Sequence, residues 1–511
     1  MRQAIRTFGI GLIGAAAAGA VAWCGRLAGH WPFPPELMAA RLFAWLPMRL
    51  FETGVRLLGH WAKWLAFGGM IAVYLAIGGL LAVAAPRLAR RLSPVAAWAL
   101  ATAVLAAAGL FVFLPAVGLD WAGRDLVPRP GLPVPLVFLL YAAIYSAVVV
   151  VWVARARRAG TTSLGAGAVG AAPAPAARVD RGKRAFLRAG VAWAGALAVL
   201  NWRALAALAQ AAEPLFAKLQ AITPVFTRQR DFYHVSKNLF DPTVPQASWR
   251  LSVAGAIERP YELTLEQLKG LPSVAMDLTL CCISNPVGGD LISNAHWRGV
   301  PLQALLEHAG VQDGAVDVEL VAYDEYTDSI PLAKALHPDT LVAYEMNGAP
   351  LPDDHGAPAR LLVPGIYGMK NVKWLTRIQV VKADFKGYWE DRGWSDEAVI
   401  RTMSRIDFPN RTRVPLAEAY VGGIAFAGER GISKVEVSFD RGHTWRAAQL
   451  GPEIGRYCWR QWTLPWPEGL RGRVSITARA YDGQGAPQLQ TPAYPGPEGA
   501  TGYHVINVTV S

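Results

Sequence analysis

Five long apolar runs occupy the first 211 residues of the chain. Each is close to the roughly 20 residues that a helix needs to cross the hydrocarbon of a bilayer, so each predicts a membrane-spanning helix. Polar or bulky residues interrupt the first run at Trp23 and Cys24 and the last run at Asn201 and Arg203, and for these two an interfacial or buried helix is the alternative. The runs lie at about 8–24, 64–85, 95–117, 134–154 and 187–209.

From about residue 225 the pattern changes to short runs separated by Pro and Gly turns. Residues 249–257, 317–324 and 359–365 have the alternating or continuous apolar character of β-strands. Residues 263–272 begin with a Thr cap and predict a short helix. This mixture of strands and brief helices predicts an α+β domain.

The C-terminal segment holds more regularly alternating strands. Residues 432–445 predict a hairpin that turns at an Asp-x-Gly sequence, and residues 459–462 and 474–485 continue the alternation. Turns about every ten residues indicate a β-sandwich. The Trp and Tyr residues here, together with Cys458, are predicted to be core residues.

Composition agrees with a membrane protein that also carries folded domains. The chain of 511 residues is 53% hydrophobic and 17% charged, which excludes a disordered chain. Its four cysteines exclude a disulfide-dense scaffold and a paired CxxC zinc module. Residues 1–211 carry 21 basic and 5 acidic residues, whereas residues 212–511 carry 29 and 33. The positive charge surrounds the apolar runs, which is typical of membrane topology and not of a nucleic-acid binder.

Loop charges predict the orientation of the spans. The loop 86–94 holds three arginines and the loop 155–188 holds eight basic residues, whereas the two arginines of the loop 118–133 are offset by two aspartates. The positive-inside rule therefore places the first two loops in the cytoplasm. Five crossings then leave the N-terminus inside and residues 212–511 outside. The loop 25–63, with four arginines, fits less well, but long loops weigh less in this rule.

The segment that precedes the fifth run has two features. Residues 159–178 are rich in Gly, Ala, Pro, Ser and Thr and predict a flexible linker. The sequence Arg181-Gly-Lys183-Arg184 then resembles a Lys-Arg variant of the twin-arginine signal, which exports proteins already folded around a cofactor. An ordinary positive flank of a span is the alternative. No small-residue cleavage site follows, so the fifth run is predicted to be an anchor.

Two adjacent cysteines end one of the predicted strands, in the sequence Leu278-Thr-Leu-Cys281-Cys282-Ile-Ser-Asn285. Thiolates are soft ligands that can hold a metal at the end of a loop. Two adjacent cysteines cannot build a tetrahedral zinc site unaided, and for this segment alone a pair of buried thiols is the alternative.

Read together, several motifs across residues 228–405 resemble the sulfite oxidase family of molybdenum enzymes. Thr279-Leu-Cys-Cys282-Ile-Ser-Asn285 resembles that family's Thr-Leu-x-Cys-x-x-Asn. The other segments, in order, are Ala295-His-Trp297-Arg-Gly299-Val-Pro-Leu302, Ala343-Tyr-Glu-Met-Asn347-Gly, His355-Gly-Ala-Pro-Ala-Arg360 and Gly368-Met-Lys-Asn-Val-Lys373-Trp374.

The apolar runs predict an all-α transmembrane bundle at the N-terminus of a multi-domain protein. The resemblance implies that an α+β molybdopterin domain and an immunoglobulin-like β-sandwich that dimerises follow it. We expect a four-helix transmembrane region at 1–158, a cytoplasmic linker at 159–186 and a fifth anchor at 187–211. The molybdopterin-binding catalytic domain is expected at 212–408 and the dimerisation domain at 409–511.

The resemblance also implies roles for individual residues. Cys282 supplies a thiolate to molybdenum, and the dithiolene of the molybdopterin supplies the others. Cys281 falls on a variable position of the family's motif and is predicted to be structural. The expected cofactor contacts match the family's pterin and phosphate segments. They are Tyr233, His234, Asp324, His355, Arg360, Asn371, Val372 and Lys373.

The sequence departs from the family where sulfite would bind. An arginine is absent from Val235-Ser-Lys237-Asn238, and Pro286 and Val287 stand where sulfite-oxidising members carry two arginines. Trp394 stands in place of a tyrosine near the metal. A site that binds an anion needs cationic side chains. Lys237, Lys370 and Arg298 could supply part of such a pocket, but not in the family's pattern. These departures put sulfite in doubt but not the molybdenum cofactor.

These observations predict a membrane-anchored oxidoreductase of the inner membrane whose catalytic domain faces the periplasm. It would transfer an oxygen atom on a small substrate, such as a sulfur oxyanion, and exchange electrons with a separate c-type cytochrome or quinol-linked protein, because this chain has no iron–sulfur or haem motif. The enzymatic alternative is a reductase like the methionine-sulfoxide repair enzyme. Alternatives of other classes are a non-catalytic binding or sensory protein and a transporter, although the spans hold almost no buried charge.

Overall fold

The computed structural model describes residues 2–29, 31–46, 61–88, 92–120, 132–161, 222–416 and 420–511, with residues 50, 53, 54, 57 and 58 in addition. The predicted fifth anchor at 187–211, the Lys183-Arg184 segment and nearly all of the predicted linker lie outside the described residues.

Four of the five apolar runs are helices in the structure. By length and composition, Ile5–Leu27, Trp61–Val83, Pro94–Ala116 and Val134–Arg155 are long and apolar enough to cross a membrane. A short helix within the predicted loop 25–63 was missed, because its Pro-Pro start and 12 residues give no long apolar run. The helices are α1 (Arg2–Gly29), α2 (Pro34–Trp45), α3 (Trp61–Leu88), α4 (Pro94–Ala108, continued by Gly109–Phe113 and Leu114–Ala116) and α5 (Val134–Thr161).

Small residues bring the helices of this bundle together. A Cβ at Gly78 of α3 would lie 2.5 Å from the Cβ of Ala15 on α1, so only glycine permits this approach. Close backbone contact of this kind replaces the hydrophobic driving force that helices lack in lipid. Between α4 and α5, the hydroxyl groups of Thr102 and Ser146 form a buried hydrogen bond of 2.6 Å.

The middle domain contains two sheets and three short helices. One sheet has the order β2-β1-β10-β5-β6, with β1 and β10 parallel; the other has the order β3-β4-β7-β8, with β9 on β7. The predicted Thr cap at Thr264 is confirmed, because Thr264 and Gln267 form a reciprocal capping box. The strands are β1 (Leu251–Gly255), β2 (Tyr261–Leu263), β3 (Val274–Cys281), β4 (Ile292–Pro301), β5 (Asp317–Ala322), β6 (Thr327–Pro331), β7 (Leu341–Met346), β8 (Ala349–Pro350), β9 (Arg360–Leu362) and β10 (Leu375–Val381), and the helices are α6 (Leu265–Gly270), α7 (Leu302–Ala309) and α8 (Leu332–Ala335).

The C-terminal domain consists of two sheets that bury one shared core. Their orders are β11-β13-β17-β16 and β12-β19-β18-β14-β15, and apolar side chains of both sheets belong to one cluster. The predicted hairpin is formed by β14 and β15, with Arg441 and Gly442 at positive φ in its turn. The strands are β11 (Met403–Phe408), β12 (Arg413–Val414), β13 (Tyr420–Phe426), β14 (Ile432–Ser438), β15 (Arg446–Ala447), β16 (Gln449–Leu450), β17 (Arg460–Pro465), β18 (Gly472–Asp482) and β19 (His504–Val510).

The boundary between these two domains falls earlier than residue 409. Strand β11 begins at Met403 and pairs antiparallel with β13 of the C-terminal domain. The hydrogen bonds between β11 and β13 therefore assign residues 403–408 to the C-terminal domain. The local sequence contains no turn that would mark this domain boundary.

Candidate functional site

The two adjacent cysteines lie where β3 ends and a tight loop begins. Cys281 is the last residue of the strand, and the amide of Cys282 donates to the carbonyl of Leu291 at 2.9 Å. Asn285 closes the loop, because its side-chain oxygen accepts from the amide of Leu291 at 3.0 Å. This side-chain bond explains why an asparagine follows the cysteines at this spacing.

The environments of the two thiols differ. Cys282 Sγ lies 2.9 Å from the hydroxyl of Ser284, whereas the side-chain Nδ2 of Asn285 donates weakly to Cys281 Sγ at 3.8 Å. Burial raises the pKa of both thiols. A thiolate at either position therefore needs a nearby positive charge or a metal.

Tyr233 lies beside these thiols. Burial raises its pKa well above the usual value, and the adjacent Cys282 and Cys281 raise it further. A Cβ at Gly368 would lie only 2.5 Å from the Tyr233 hydroxyl oxygen. The phenol is therefore held as a neutral donor in a space that glycine leaves for it.

Arg360 is a buried cation that has no ion pair in the part of the chain that the structure describes. Nη1 donates to the carbonyl of His355 at 3.1 Å and Nη2 to the carbonyl of Asn371 at 3.0 Å, while Nε is buried without a partner. The residue is only 4% exposed, and burial lowers its pKa to about 10. A buried charge without a counterion is costly, so this guanidinium fits an anionic ligand.

Lys373 adds a second cation close to Arg360. Its Nζ donates to the carbonyl of Asp354 at 2.9 Å and lies 3.8 Å from Asp241 Oδ2. Burial lowers its pKa to about 8, although Asp241 opposes this shift. Gly356, at φ +105°, allows the segments that carry Lys373 and Arg360 to approach each other. A Cβ at this position would lie 2.9 Å from the Cβ of Lys373 and 3.2 Å from the Cβ of Arg360.

His355 stands at the other side of Gly356. Its Nε2 donates to the carbonyl of Gln229 at 3.0 Å, and its ring is buried against Phe232 at a centroid distance of 5.3 Å. Burial lowers its pKa, so it is neutral at neutral pH. The structure thus brings together His355, Arg360 and Lys373, three of the predicted cofactor contacts.

The loop of residues 233–241 holds two of the predicted cofactor contacts, Tyr233 and His234, and we call it the first cofactor loop. His234 Nε2 lies 2.5 Å from Asp241 Oδ2, and the side-chain Nδ2 of Asn238 donates to Asp324 Oδ2 at 2.6 Å. Although burial favours the neutral form of Asp241, the hydrogen bond to His234 and the charge of Lys373 lower its pKa. Asp324 is therefore connected to this loop through Asn238, and His234 is connected through Asp241 to Lys373.

Two other predicted contacts have structural duties. Asn371 Oδ1 accepts from the amide of Val363 at 2.7 Å, and its Nδ2 donates to the carbonyl of Tyr367 at 3.1 Å. Val372 is 1% exposed, and its carbonyl accepts from the amide of Leu361 at 2.8 Å. A cofactor contact at either residue would have to come from the backbone.

Each of the three cations that could contribute to an anion pocket is paired with a carboxylate. Lys370 is buried between Asp328 at 2.9 Å and Glu390 at 3.1 Å, with Asp396 at 3.4 Å. Lys237 pairs with Asp324 at 3.2 Å, and Arg298 pairs with Glu345 at 3.4 Å on the surface. Sequence reasoning counted these cations but could not see the carboxylates that neutralise them.

Sequence reasoning missed a small cavity between the middle domain and the C-terminal domain. It has a volume of about 20 Å³, which is room for about one water molecule, and Cys281, Tyr367, Arg401 and Gln488 lie on its wall. The Tyr367 hydroxyl accepts from the amide of Arg401 at 3.1 Å. Arg401 and Gln488 come from segments without a recognisable motif, so no local signal could have found them. Trp394 is buried nearby, and in the described chain its Nε1 has no hydrogen-bond partner.

Two family models match this chain. The model of an oxidoreductase molybdopterin binding domain matches residues 239–389, and the model of a Mo-co oxidoreductase dimerisation domain matches residues 404–494. The first match includes Cys282, Arg360 and Lys373, whereas Tyr233 and His234 lie before it. The second begins within one residue of β11 and supports the earlier domain boundary.

Related proteins agree with these matches. The chain is 31% identical over 306 residues to sulfite oxidase of Gallus gallus, covering 50% of this chain and 67% of that protein. It is 31% identical over 313 residues to mitochondrial sulfite oxidase of Homo sapiens, covering 52% of this chain and 57% of that protein. The chain thus spans between about half and two thirds of the length of these curated relatives.

A solved structure shares the fold. The sulfane dehydrogenase SoxCD of Paracoccus pantotrophus matches with a TM-score of 0.51 and 24% sequence identity, covering 57% of this chain and 82% of that chain. At this identity the likeness concerns the fold alone.

Proposed function

This chain belongs to the sulfite oxidase family of molybdopterin-dependent oxidoreductases, and on that basis we propose that it is a membrane-anchored enzyme that transfers an oxygen atom to or from a small sulfur compound. The two relatives described above are sulfite oxidases by name, which makes sulfur compounds the first class to test. The observation that carries the proposal is the buried guanidinium of Arg360, which has no ion pair among the described residues and lies in the same domain as the Cys282 loop.

The residues present fit a molybdopterin. Arg360 has an orphaned buried Nε, Lys373 is a second buried cation within reach, and both are the donors that a phosphate group requires. Cys282 offers the soft thiolate that molybdenum requires. Among the described residues, no group of three or more His, Cys, Asp or Glu side chains is placed to hold a metal ion.

When bound, the cofactor supplies two-electron redox chemistry and oxygen-atom transfer. Arg360, Lys373 and the neutral His355 would hold and orient its phosphate and pterin. Cys282 would hold the metal as a thiolate; because burial raises its pKa, metal binding must displace the thiol proton. Tyr233 would keep its proton next to Cys282 and offer a hydrogen-bond donor there.

A reductase of a neutral sulfoxide is the second candidate. The observation that favours it is the neutralisation of Lys237, Lys370 and Arg298 by carboxylates, which removes the cations counted for a sulfite pocket. The buried Nε1 of Trp394 is a neutral donor, which suits a neutral oxygen better than a dianion. The two candidates differ in the direction of electron flow.

The packing of the bundle supports a catalytic domain outside the cytoplasm. Phe240 of the catalytic domain contacts Trp23 near the end of α1 and Trp64 near the start of α3. The Arg-rich loop 86–94 follows the opposite end of α3. The positive-inside rule assigns that loop to the cytoplasm, so the catalytic domain would face the periplasm or cell exterior.

We expect the enzyme to act as a homodimer with a separate redox partner. The matched dimerisation model supports self-association through the C-terminal sheets. A c-type cytochrome or a quinol-linked membrane protein would exchange the electrons with the cofactor.

The test is molybdenum content and activity of the full chain purified in detergent. Wild type should hold about one molybdenum per chain by elemental mass spectrometry. It should then either reduce an electron-accepting dye with sulfite or oxidise a reduced dye with a sulfoxide. Cys282→Ser should lose this activity, whereas the neighbouring Cys281→Ser should keep it.

Three outcomes would contradict the proposal. Wild type made in a cofactor-competent host but lacking molybdenum would favour a binding role. Molybdenum-loaded wild type that is inactive with both sulfite and sulfoxides would exclude the sulfur class. Equal loss in both serine variants would remove the special role of Cys282.

A further inference from the structure

The first cofactor loop has two faces, and they contact different parts of the protein. On one face, Asn238 and Lys237 bind Asp324, while His234 binds Asp241, which lies 3.8 Å from Lys373. This face belongs to the candidate cofactor site. The opposite face contacts the membrane bundle.

Phe240 occupies a cluster of aromatic rings at one end of the bundle, which we call the aromatic socket. The ring of Phe240 lies 5.1 Å from Trp23, 6.0 Å from Trp64 and 5.7 Å from Phe67, each in an edge-to-face arrangement. Phe33 completes the socket, 5.3 Å from Trp23 and 6.1 Å from Phe67. Edge-to-face packing fixes the position of a ring more tightly than its buried area alone.

A polar contact fixes the same loop at a second point. Lys63, which precedes Trp64 on α3, donates from Nζ to the carbonyl of Ser236 at 3.4 Å. Leu239, next to Phe240, also packs against the apolar cluster of the bundle. The bundle therefore contacts the loop between His234 and Asp241, which are the residues that lead to Lys373.

We infer that the membrane bundle supports one wall of the cofactor pocket from behind: the aromatic socket holds Phe240 and thereby fixes the first cofactor loop, which forms that wall. Phe240 is a positioning residue: it acts on the cofactor through His234, Asn238 and Asp241. This inference rests on the proposed cofactor site, and it assigns the helices a role beyond anchoring.

The reason is the entropy of the loop. A loop fixed at both faces presents its polar groups at no further cost when the cofactor binds, whereas a loop that is free on one face must be ordered at that moment. Removing the ring of Phe240 therefore weakens cofactor retention without changing any group that contacts the cofactor. A purely adhesive role would lower stability but leave cofactor release unchanged.

The test compares cofactor release from the full chain in detergent. Phe240→Ala should release pterin about 10-fold faster than wild type after dilution into cofactor-free buffer, as is typical when a residue that supports ligands is lost. It should also carry less molybdenum per chain at purification. Phe240→Leu, which keeps an apolar side chain in the socket, should restore much of the retention.

The matched control is Phe138→Ala. Phe138 is a buried phenylalanine of α5 that packs with Phe113, Leu114 and Tyr141, and among the described residues it makes no ring contact with the loop 233–241. This variant should lower the thermal midpoint of the bundle and leave pterin release unchanged. Equal acceleration by Phe138→Ala and Phe240→Ala would reduce the effect to general destabilisation and overturn the inference.

Other outcomes are also decisive. Wild-type release from Phe240→Ala overturns the inference. If Phe240→Ala does not accumulate, Trp64→Ala takes its place, because it removes one wall of the aromatic socket and keeps Phe240; unchanged release there overturns the inference as well. Wild type that never contains molybdenum contradicts the proposed function instead, so the two failures are distinguishable.

Discussion

Lys370 Nζ lies 2.9 Å from Asp328 Oδ1, and both side chains are almost completely buried. Tyr326 donates to the other oxygen of Asp328 at 2.6 Å, and Glu390 lies 3.1 Å from the same ammonium. A single cation therefore balances two fully buried carboxylates. Asp328 lies in β6, Lys370 ends the short turn Gly368–Lys370, and Glu390 begins the turn Glu390–Arg392. The cluster therefore holds three separate segments of the catalytic domain together.

Replacing Lys370 by Met should destabilise the catalytic domain strongly. The methionine fills a similar volume, but it leaves Asp328 and Glu390 buried without a cation, which costs about 3–5 kcal/mol. The thermal midpoint of the detergent-solubilised chain, followed by tryptophan fluorescence, measures the loss. The control is Lys334→Met, because Lys334 pairs with Glu429 at 2.8 Å in a partly exposed position, where an ion pair contributes about 1 kcal/mol or less. Similar losses in the two variants would contradict this account.

Asp328 should make stability depend on pH in an unusual direction. Burial raises its pKa, Lys370 opposes this shift and Glu390 adds to it, so that the pKa is about 7. The folded state thus holds a proton that the unfolded state releases near the ordinary value of 3.8. The resulting stability is fully present below the unfolded pKa and is lost as the pH rises from about 4 through about 7.

The variant Asp328→Asn tests this pH dependence. The amide cannot titrate, so the thermal midpoint should fall less between pH 5 and 8 than in wild type. Identical pH profiles of wild type and Asp328→Asn would show that another group is responsible.

Arg360 should decide whether the cofactor is retained. Arg360→Met removes the charge and both hydrogen bonds to the carbonyls of His355 and Asn371, and we expect almost no molybdenum in the purified protein. Arg360→Lys keeps a charge but loses the planar fork, so retention should fall about 10-fold or more. Arg298→Met, at a surface ion pair of the same domain, should retain the wild-type content. Full molybdenum in Arg360→Met would show that the phosphate lies elsewhere.

Gly368 and Tyr233 should be energetically coupled. Gly368→Ala places a methyl group 2.5 Å from the Tyr233 hydroxyl oxygen, and overpacking of this kind costs about 1–3 kcal/mol. Tyr233→Phe removes that oxygen, so the double variant should recover part of the lost thermal stability. A double-mutant cycle measures the coupling. Simple additivity of the two losses would mean that the chain avoids the clash by moving elsewhere.

Local patterns were sufficient for much of the architecture. Uninterrupted apolar runs identified four of the described helices, because a span must bury its whole circumference in lipid. The Thr264 cap and the hairpin turn at Gly442 were also predictable, since both depend on neighbouring residues. The spacing of Cys282 and Asn285 was readable for the same reason, as Asn285 closes the very loop in which it lies.

Contacts between distant segments decided the rest. Whether Lys370 is a free cation depends on Asp328, Glu390 and Asp396, which come from other segments of the chain. Whether Asn371 can offer its side chain to a ligand depends on Val363 and Tyr367. The pattern of apolar and polar residues along the chain cannot identify such partners, because ion pairs and hydrogen bonds depend on which side chains lie close together in the folded protein.

The apolar spans, the α+β domain with a thiol loop and the C-terminal pair of sheets could all be read from the amino-acid sequence, because those features arise from local periodicity and turn chemistry. The folded structure was needed to show that Arg360 is a buried cation with no counterion among the described residues and that Phe240 joins the cofactor loop to the membrane bundle. Both facts depend on which surfaces meet after folding, since burial removes the water that would otherwise solvate the charge and cover the ring.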